Sequence, residues 1–84
     1  MRQIDLKYKT SGNITKLDGT PVPDDEPLML FRGRDKLLPQ LLERYEELCR
    51  NNGSPPGQLE KLHKQVNKIT SWQSAHPDRL KIPD

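Results

Sequence analysis

The segment Phe31-Arg32-Gly33-Arg34-Asp35-Lys36 sets three cations around a glycine immediately before an expected helix start. Free backbone N–H groups at a helix N-terminus, with guanidinium groups beside them, favour a phosphate. Arg32, Arg34 and Lys36 are therefore candidate ligand-binding residues. The competing reading is that these cations pair with Asp24, Asp25 and Glu26, or with the acidic face of the helix that follows; the sequence leaves both open. Tyr8 stands between Lys7 and Lys9 in a polar segment, which places an aromatic plane beside cations. That combination suits stacking on a base while Lys9 neutralises a phosphate, and simple packing of the tyrosine is the alternative. Lys61, Lys64 and Lys68 follow at i, i+3, i+7 and form a basic stripe on one helix face, with Glu60 placed to pair with Lys64.

Other reactive side chains read more plainly. Asp24-Asp25-Glu26 lies between Pro23 and Pro27, and adjacent carboxylates point apart, so a solvated acidic turn is expected rather than a cation site. Cys49, the single cysteine, falls on an apolar helical stripe and is expected as a buried thiol. The two histidines, His63 and His76, have no cysteine at ligand spacing, so no metal is expected. There is no histidine near Cys49, no Gly-rich phosphate loop and no paired carboxylates that spacing would put on one face. The expectation is a binding protein without cofactor, not an enzyme.

The elements that position these residues must come from 84 residues of which 31% are apolar and 31% charged. A core closed by so small and polar a chain is thin, and with neither disulfide nor metal to staple it, self-association is the remaining route to stability. The N-terminus lacks an apolar h-region, and no stretch nears the roughly 18 apolar residues of a membrane span, which points to a cytoplasmic protein without membrane contact. Net charge is +2 with both signs interspersed. That lacks the basic asymmetry of a module that wraps duplex nucleic acid, and leaves room for a small anion.

The chain is expected as one mainly α domain over residues 1–84. Residues 1–27, rich in Thr, Asp, Gly and Pro, read as an extended, turn-rich segment, with Asp18-Gly19 a hairpin signal. The run Leu28-Met29-Leu30-Phe31 is expected in the core. Residues 35–76 read as an antiparallel helical hairpin with a short helical turn before it. Asp35 caps the turn, Pro39 opens the first helix, and Leu41, Leu42, Tyr45, Leu48 and Cys49 form its inner face, leaving Glu43, Glu46, Glu47 and Arg50 outside. Asn51-Asn52-Gly53 ends it, Ser54-Pro55-Pro56 starts the second helix, and Leu59, Leu62, Val66, Ile69 and Trp72 line that helix's apolar face until His76-Pro77. A connection so short makes the helices antiparallel neighbours. The tail, 77–84, is expected to pack through Leu80 and Ile82, either back on the hairpin or on a neighbouring copy.

The stretch Glu26-Pro27-Leu28-Met29-Leu30-Phe31-Arg32-Gly33-Arg34-Asp35-Lys36-Leu37-Leu38-Pro39, with Trp72 late in a helix and a tail ending Lys81-Ile82-Pro83-Asp84, resembles the phage anti-CBASS sponges. The resemblance spans residues 26–84. It implies a small helical homo-oligomer, a ring or hexamer of helix pairs. Pockets between its protomers would sequester cyclic dinucleotides and trinucleotides, the messengers of bacterial immunity, without destroying them. Tyr8 is the position similar to the family's stacking aromatic, while its phosphate contact is not assigned among the lysines and arginines here. The alternative is a helical-hairpin protein-interaction module that presents Leu62, Val66, Ile69 and Trp72 to a partner.

Overall fold

The computed structural model describes residues 2–83, Arg2 by its backbone alone; Met1 and Asp84, at the two ends of the expected 1–84 domain, lie outside the described residues. The chain is mainly helical and divides into two compact units, Met1–Leu30 and Phe31–Asp84.

In the first unit, β1 (Arg2–Gln3) pairs antiparallel with β2 (Lys9–Thr10), Gln3 opposite Lys9. Two-residue strands supply few ladder bonds, so the connection carries the order. The Asp5 carboxylate does this: its Oδ1 accepts the N–H groups of Lys7 and Tyr8 at 2.8 Å each, and its Oδ2 accepts that of Leu30 at 2.9 Å. These bonds to the charged form, Leu30's first, hold the Asp5 carboxyl below its ordinary value near 3.8. A second turn forms where Asp18-Gly19 was expected. Lys16 N–H donates to Thr20 O at 2.8 Å and Val22 N–H to Ile14 O at 2.9 Å. Gly19 takes φ 91°, a backbone that glycine alone adopts without strain, and the Asp18 carboxylate accepts the Thr20 N–H at 2.9 Å. Asp24, Asp25 and Glu26 are exposed, as an acidic turn should be.

The second unit contains α1 (Leu38–Asn51), α2 (Pro56–Ala75) and a 3-10 turn, η1 (Pro77–Arg79). Asp35 Oδ1 accepts the Leu37 N–H at 2.8 Å and Asp35 O accepts that of Leu38 at 3.2 Å, which closes the turn ahead of α1. Pro39 occupies the first turn of α1, where a missing N–H costs nothing. Gly53, at φ 81°, follows the C-terminus of α1, and α2 ends one residue before His76. Glu46 of α1 meets His63 of α2, and Gln73 near the end of α2 meets Gly33 and Asp35 just before α1, so the helices run antiparallel.

Burial differs from expectation in three places. The only buried side chains among the described residues are Leu38 (2% exposed) and Val66 (6%). The expected inner face of α1 is rotated: Leu38, Leu42 and Cys49 turn inward, whereas Leu41, Tyr45 and Leu48 are exposed. The rotation brings in Glu46, expected on the solvent side. Its side chain is 14% exposed and bonds His63 Nδ1 at 3.1 Å, an ion pair when that ring is protonated. Cys49 is half-buried rather than enclosed. The run Leu28-Met29-Leu30-Phe31, expected in the core, leaves Met29, Leu30 and Phe31 exposed. It forms neither helix nor strand, and the division between the units falls inside it.

Candidate functional site

A solvent-open groove of about 630 Å³ lies within the second unit. Phe31, Arg32, Gly33 and Arg34 form one wall, Gln65, Lys68, Ile69 and Trp72 of α2 the floor, and the segment from Asp78 to Lys81 the other wall. That volume lies within the roughly 300–1,000 Å³ typical of small-molecule sites.

The first wall is an irregular loop, yet its C-terminal half is held from two directions. Gln73 Nε2 donates to Gly33 O at 2.9 Å and to Asp35 O at 2.8 Å, so both hydrogens of one amide are spent on holding this backbone to α2. The tail pairs with the same loop: Lys81 N–H donates to Arg34 O at 2.9 Å, and Lys36 N–H to Lys81 O at 3.0 Å. Asp35 and Lys81 form a parallel bridge in consequence. The expected return of the tail onto the hairpin is thus made by Lys81's backbone, with Leu80 half-buried against the groove and Ile82 exposed. Pinning from two directions lets Arg32 and Arg34 project from a backbone that is ordered before any ligand arrives.

Aromatic contacts shape the floor. The His76 ring stacks on Trp72 with centroids 4.5 Å apart and planes 26° from parallel. His76 Nδ1 lies 2.8 Å from Trp72 O, and a carbonyl only accepts, so Nδ1 carries the hydrogen. The Arg79 guanidinium lies over the indole, 4.8 Å from its centroid, within cation–π range.

The charge on the groove is one-sided. Among the described residues Arg32, Arg34, Lys68, Arg79 and Lys81 line it, against the single carboxylate of Asp78. Among the described residues no ion pair involves Arg32, Arg34 or Lys68, so the acidic residues of α1 do not neutralise them. In a chain of net charge +2, this is a local concentration of positive potential. The Glu60–Lys64 pair expected on α2 does form, at 3.3 Å, and leaves Lys68 to the groove.

No family model matches this chain, and no curated protein or solved structure matches it. The site therefore rests on its own geometry.

Of the residues singled out by sequence, the structure brings Arg32 and Arg34 to the groove together and sets Lys36 on the same pinned loop, outside the lining. Tyr8 and Lys9 belong to the first unit. Tyr8 is half-buried with its N–H on Asp5, and its carbonyl accepts the Ile4 N–H at 2.7 Å; Lys9 is exposed on β2. Sequence reasoning missed Gln73 and Arg79. Gln73 gives no local signal, because both its acceptors lie about 40 residues earlier in the chain. Arg79 had one: an arginine just past a proline-stopped helix that carries Trp72 near its end. The stripe of Leu62, Val66, Ile69 and Trp72, the apolar face of α2 that the alternative reading presents to a partner, is buried or half-buried in this chain. Among the described residues no group of three His, Cys, Asp or Glu side chains is placed to hold a metal ion, and no helix is long and apolar enough to cross a membrane.

Proposed function

We propose that the protein sequesters a small, multiply charged nucleotide of the cyclic dinucleotide and trinucleotide class, releases it chemically unchanged, and does so as a homo-oligomer in the cytoplasm. The observation that carries this reading is the groove in which Arg32, Arg34, Lys68 and Arg79 converge around Trp72 with one opposing carboxylate. Two phosphates held in one ring need cations on opposite walls, and this groove has them on the Arg32–Arg34 loop and on Arg79. What supports sequestration is a lining dominated, among the described residues, by cations suited to holding charge, with Asp78 its carboxylate. The resemblance to the anti-CBASS sponges supports the same ligand class and a hexamer, and makes Tyr8 the candidate stacking aromatic. Duplex nucleic acid is not the expected partner, since a net charge of +2 with both signs interspersed along the chain lacks a broad basic face.

The test is to incubate pure protein with a panel of cyclic dinucleotides and trinucleotides, isolate the protein peak by gel filtration, heat-denature it and identify what is released. Intact ligand is the expected result. A hydrogen bond from a guanidinium to a phosphate oxygen is worth about 1.5–3 kcal/mol, so Arg32→Glu or Arg34→Glu should weaken retention roughly 10- to 100-fold. Degraded ligand, or none retained, would overturn the reading. A second reading, a protein-interaction module, is favoured by a different feature, the exposed apolar stripe on α1.

A further inference from the structure

The groove takes no residue from α1, yet α1 carries a second apolar face beside the one it packs on α2. Leu37, just before the helix, and Leu41, Tyr45 and Leu48 within it recur at spacings of four, four and three. At 100° per residue they fall within an arc of roughly 80°. All four are between 44% and 50% exposed. Apolar side chains in so continuous a row on a small protein mark a contact surface. Beside the row lie Arg44 and Glu47, paired at 3.1 Å and both largely exposed.

We infer that this face is covered by the same face of a second copy, with the two α1 helices antiparallel about a two-fold axis at Tyr45. In an isologous antiparallel pair, facing residues have numbers that sum to a constant, here about 90. Leu41 then meets Leu48 of the second copy, Tyr45 meets its own counterpart, and Arg44 faces Glu47 of the second copy. The two-fold repeats each contact, so both charge pairs are satisfied across the interface. A parallel pairing about an axis along the helices would put the Arg44–Glu47 flanks of the two copies on opposite sides of the seam, so no cross-copy charge pair would form. A second copy fits better than an unrelated partner because the surface is complementary to itself in sign, Arg44 to Glu47. It also answers the need of a chain that buries only Leu38 and Val66 fully among the described residues. The inference names the surface for the proposed self-association and rests on none of the ligand chemistry.

The mass of the full chain is measured by light scattering across a dilution series, and nucleotide retention is scored in the same samples. The wild type should be a dimer or a higher even assembly. Leu41→Glu combined with Leu48→Glu should leave a monomer that keeps its helical circular dichroism, since the buried side chains of the hairpin are Leu38 and Val66 among the described residues. Arg44→Glu should raise the dissociation constant roughly tenfold, and Arg44→Glu with Glu47→Arg should restore it, because the swap rebuilds both cross-copy pairs. Tyr45→Cys in a Cys49→Ser background should give a disulfide-linked dimer on mild oxidation, as only a residue on the axis meets itself. A wild-type monomer at every concentration would overturn the inference and hand the stripe to a different protein. An assembly indifferent to the two glutamates, or a charge swap that fails to restore it, would overturn it as well. An assembled protein that retains no nucleotide would fail the ligand reading alone.

Discussion

The two units of this chain reach order by different means. In Met1–Leu30 none of the described side chains is buried, and the backbone is organised by carboxylates that accept N–H groups: Asp5 from Lys7, Tyr8 and Leu30, and Asp18 from Thr20. In Phe31–Asp84 the frame is apolar contact between two helices around Leu38 and Val66, and polar bonds serve to fix the loop that carries Arg32 and Arg34. The contrast separates what each unit answers to. A frame of carboxylate hydrogen bonds responds to pH and tolerates loss of apolar volume, whereas a frame of helix packing does the reverse.

The largest expected effect is on the helical unit. Leu38→Ala removes most of one of two buried side chains and should cost about 2–3 kcal/mol, read as a lowered midpoint in thermal or urea melts of the helical signal. Amide resonances of Lys7, Tyr8 and Leu30 should keep their positions in the same variant below the melt. Their collapse together with the helices would mean that the two units fold as one.

Acid should discriminate the units the other way. Asp5 and Asp18 both titrate below their ordinary value near 3.8, the first lowered chiefly by the Leu30 N–H and the second by the Thr20 N–H. A folded-state value below the unfolded one contributes stability that is present above the unfolded value and disappears as pH falls through the folded value. Acidification below about pH 3.8 should therefore shift the amides of Lys7, Tyr8, Thr20 and Leu30 while helical circular dichroism persists. Asp5→Asn should blunt the response at Lys7, Tyr8 and Leu30 and leave Thr20's intact.

Two glycines sharpen the comparison at a smaller scale. Gly19 and Gly53 have φ of 91° and 81°, and a Cβ at either would meet nothing within 4 Å, so Ala substitution costs backbone conformation only, about 1 kcal/mol. Gly53→Ala should lower the helical melt; Gly19→Ala should leave it unchanged and disturb Lys16 and Thr20. The smallest effect is expected from the Glu46–His63 contact, whose histidine is 60% exposed. A double-mutant cycle with Glu46→Gln and His63→Gln should return a coupling of about 0.5 kcal/mol. A value near zero would make Glu46 a half-buried group held by α1 alone.

Local chemistry made much of the fold legible before any coordinates. The proline at the start of α1, the glycine after its end, the proline that stops α2 and the Asp18-Gly19 turn each act on their own backbone, so each could be placed from a few residues. The face of α1 could not. Leu41, Leu42, Tyr45, Leu48 and Cys49 span an arc wide enough for two contact surfaces, and periodicity marks an apolar arc without choosing which part of it α2 covers. The same holds at the groove, where Arg32 and Arg34 were visible as cations beside a turn while their convergence with Lys68 and Arg79 was not.

The sequence by itself determined the two helices, their limits and their antiparallel pairing, because caps, breakers and a short connection act within a few residues of chain. Only the tertiary structure decided that Gln73 reaches Gly33 and Asp35, that Lys81 pairs with the same loop, that Glu46 turns toward His63 and that Leu41, Tyr45 and Leu48 face outward. Those outcomes depend on the rotation of one helix against the other and on where the tail returns. Both are set by packing between residues far apart in the chain, which no local spacing encodes.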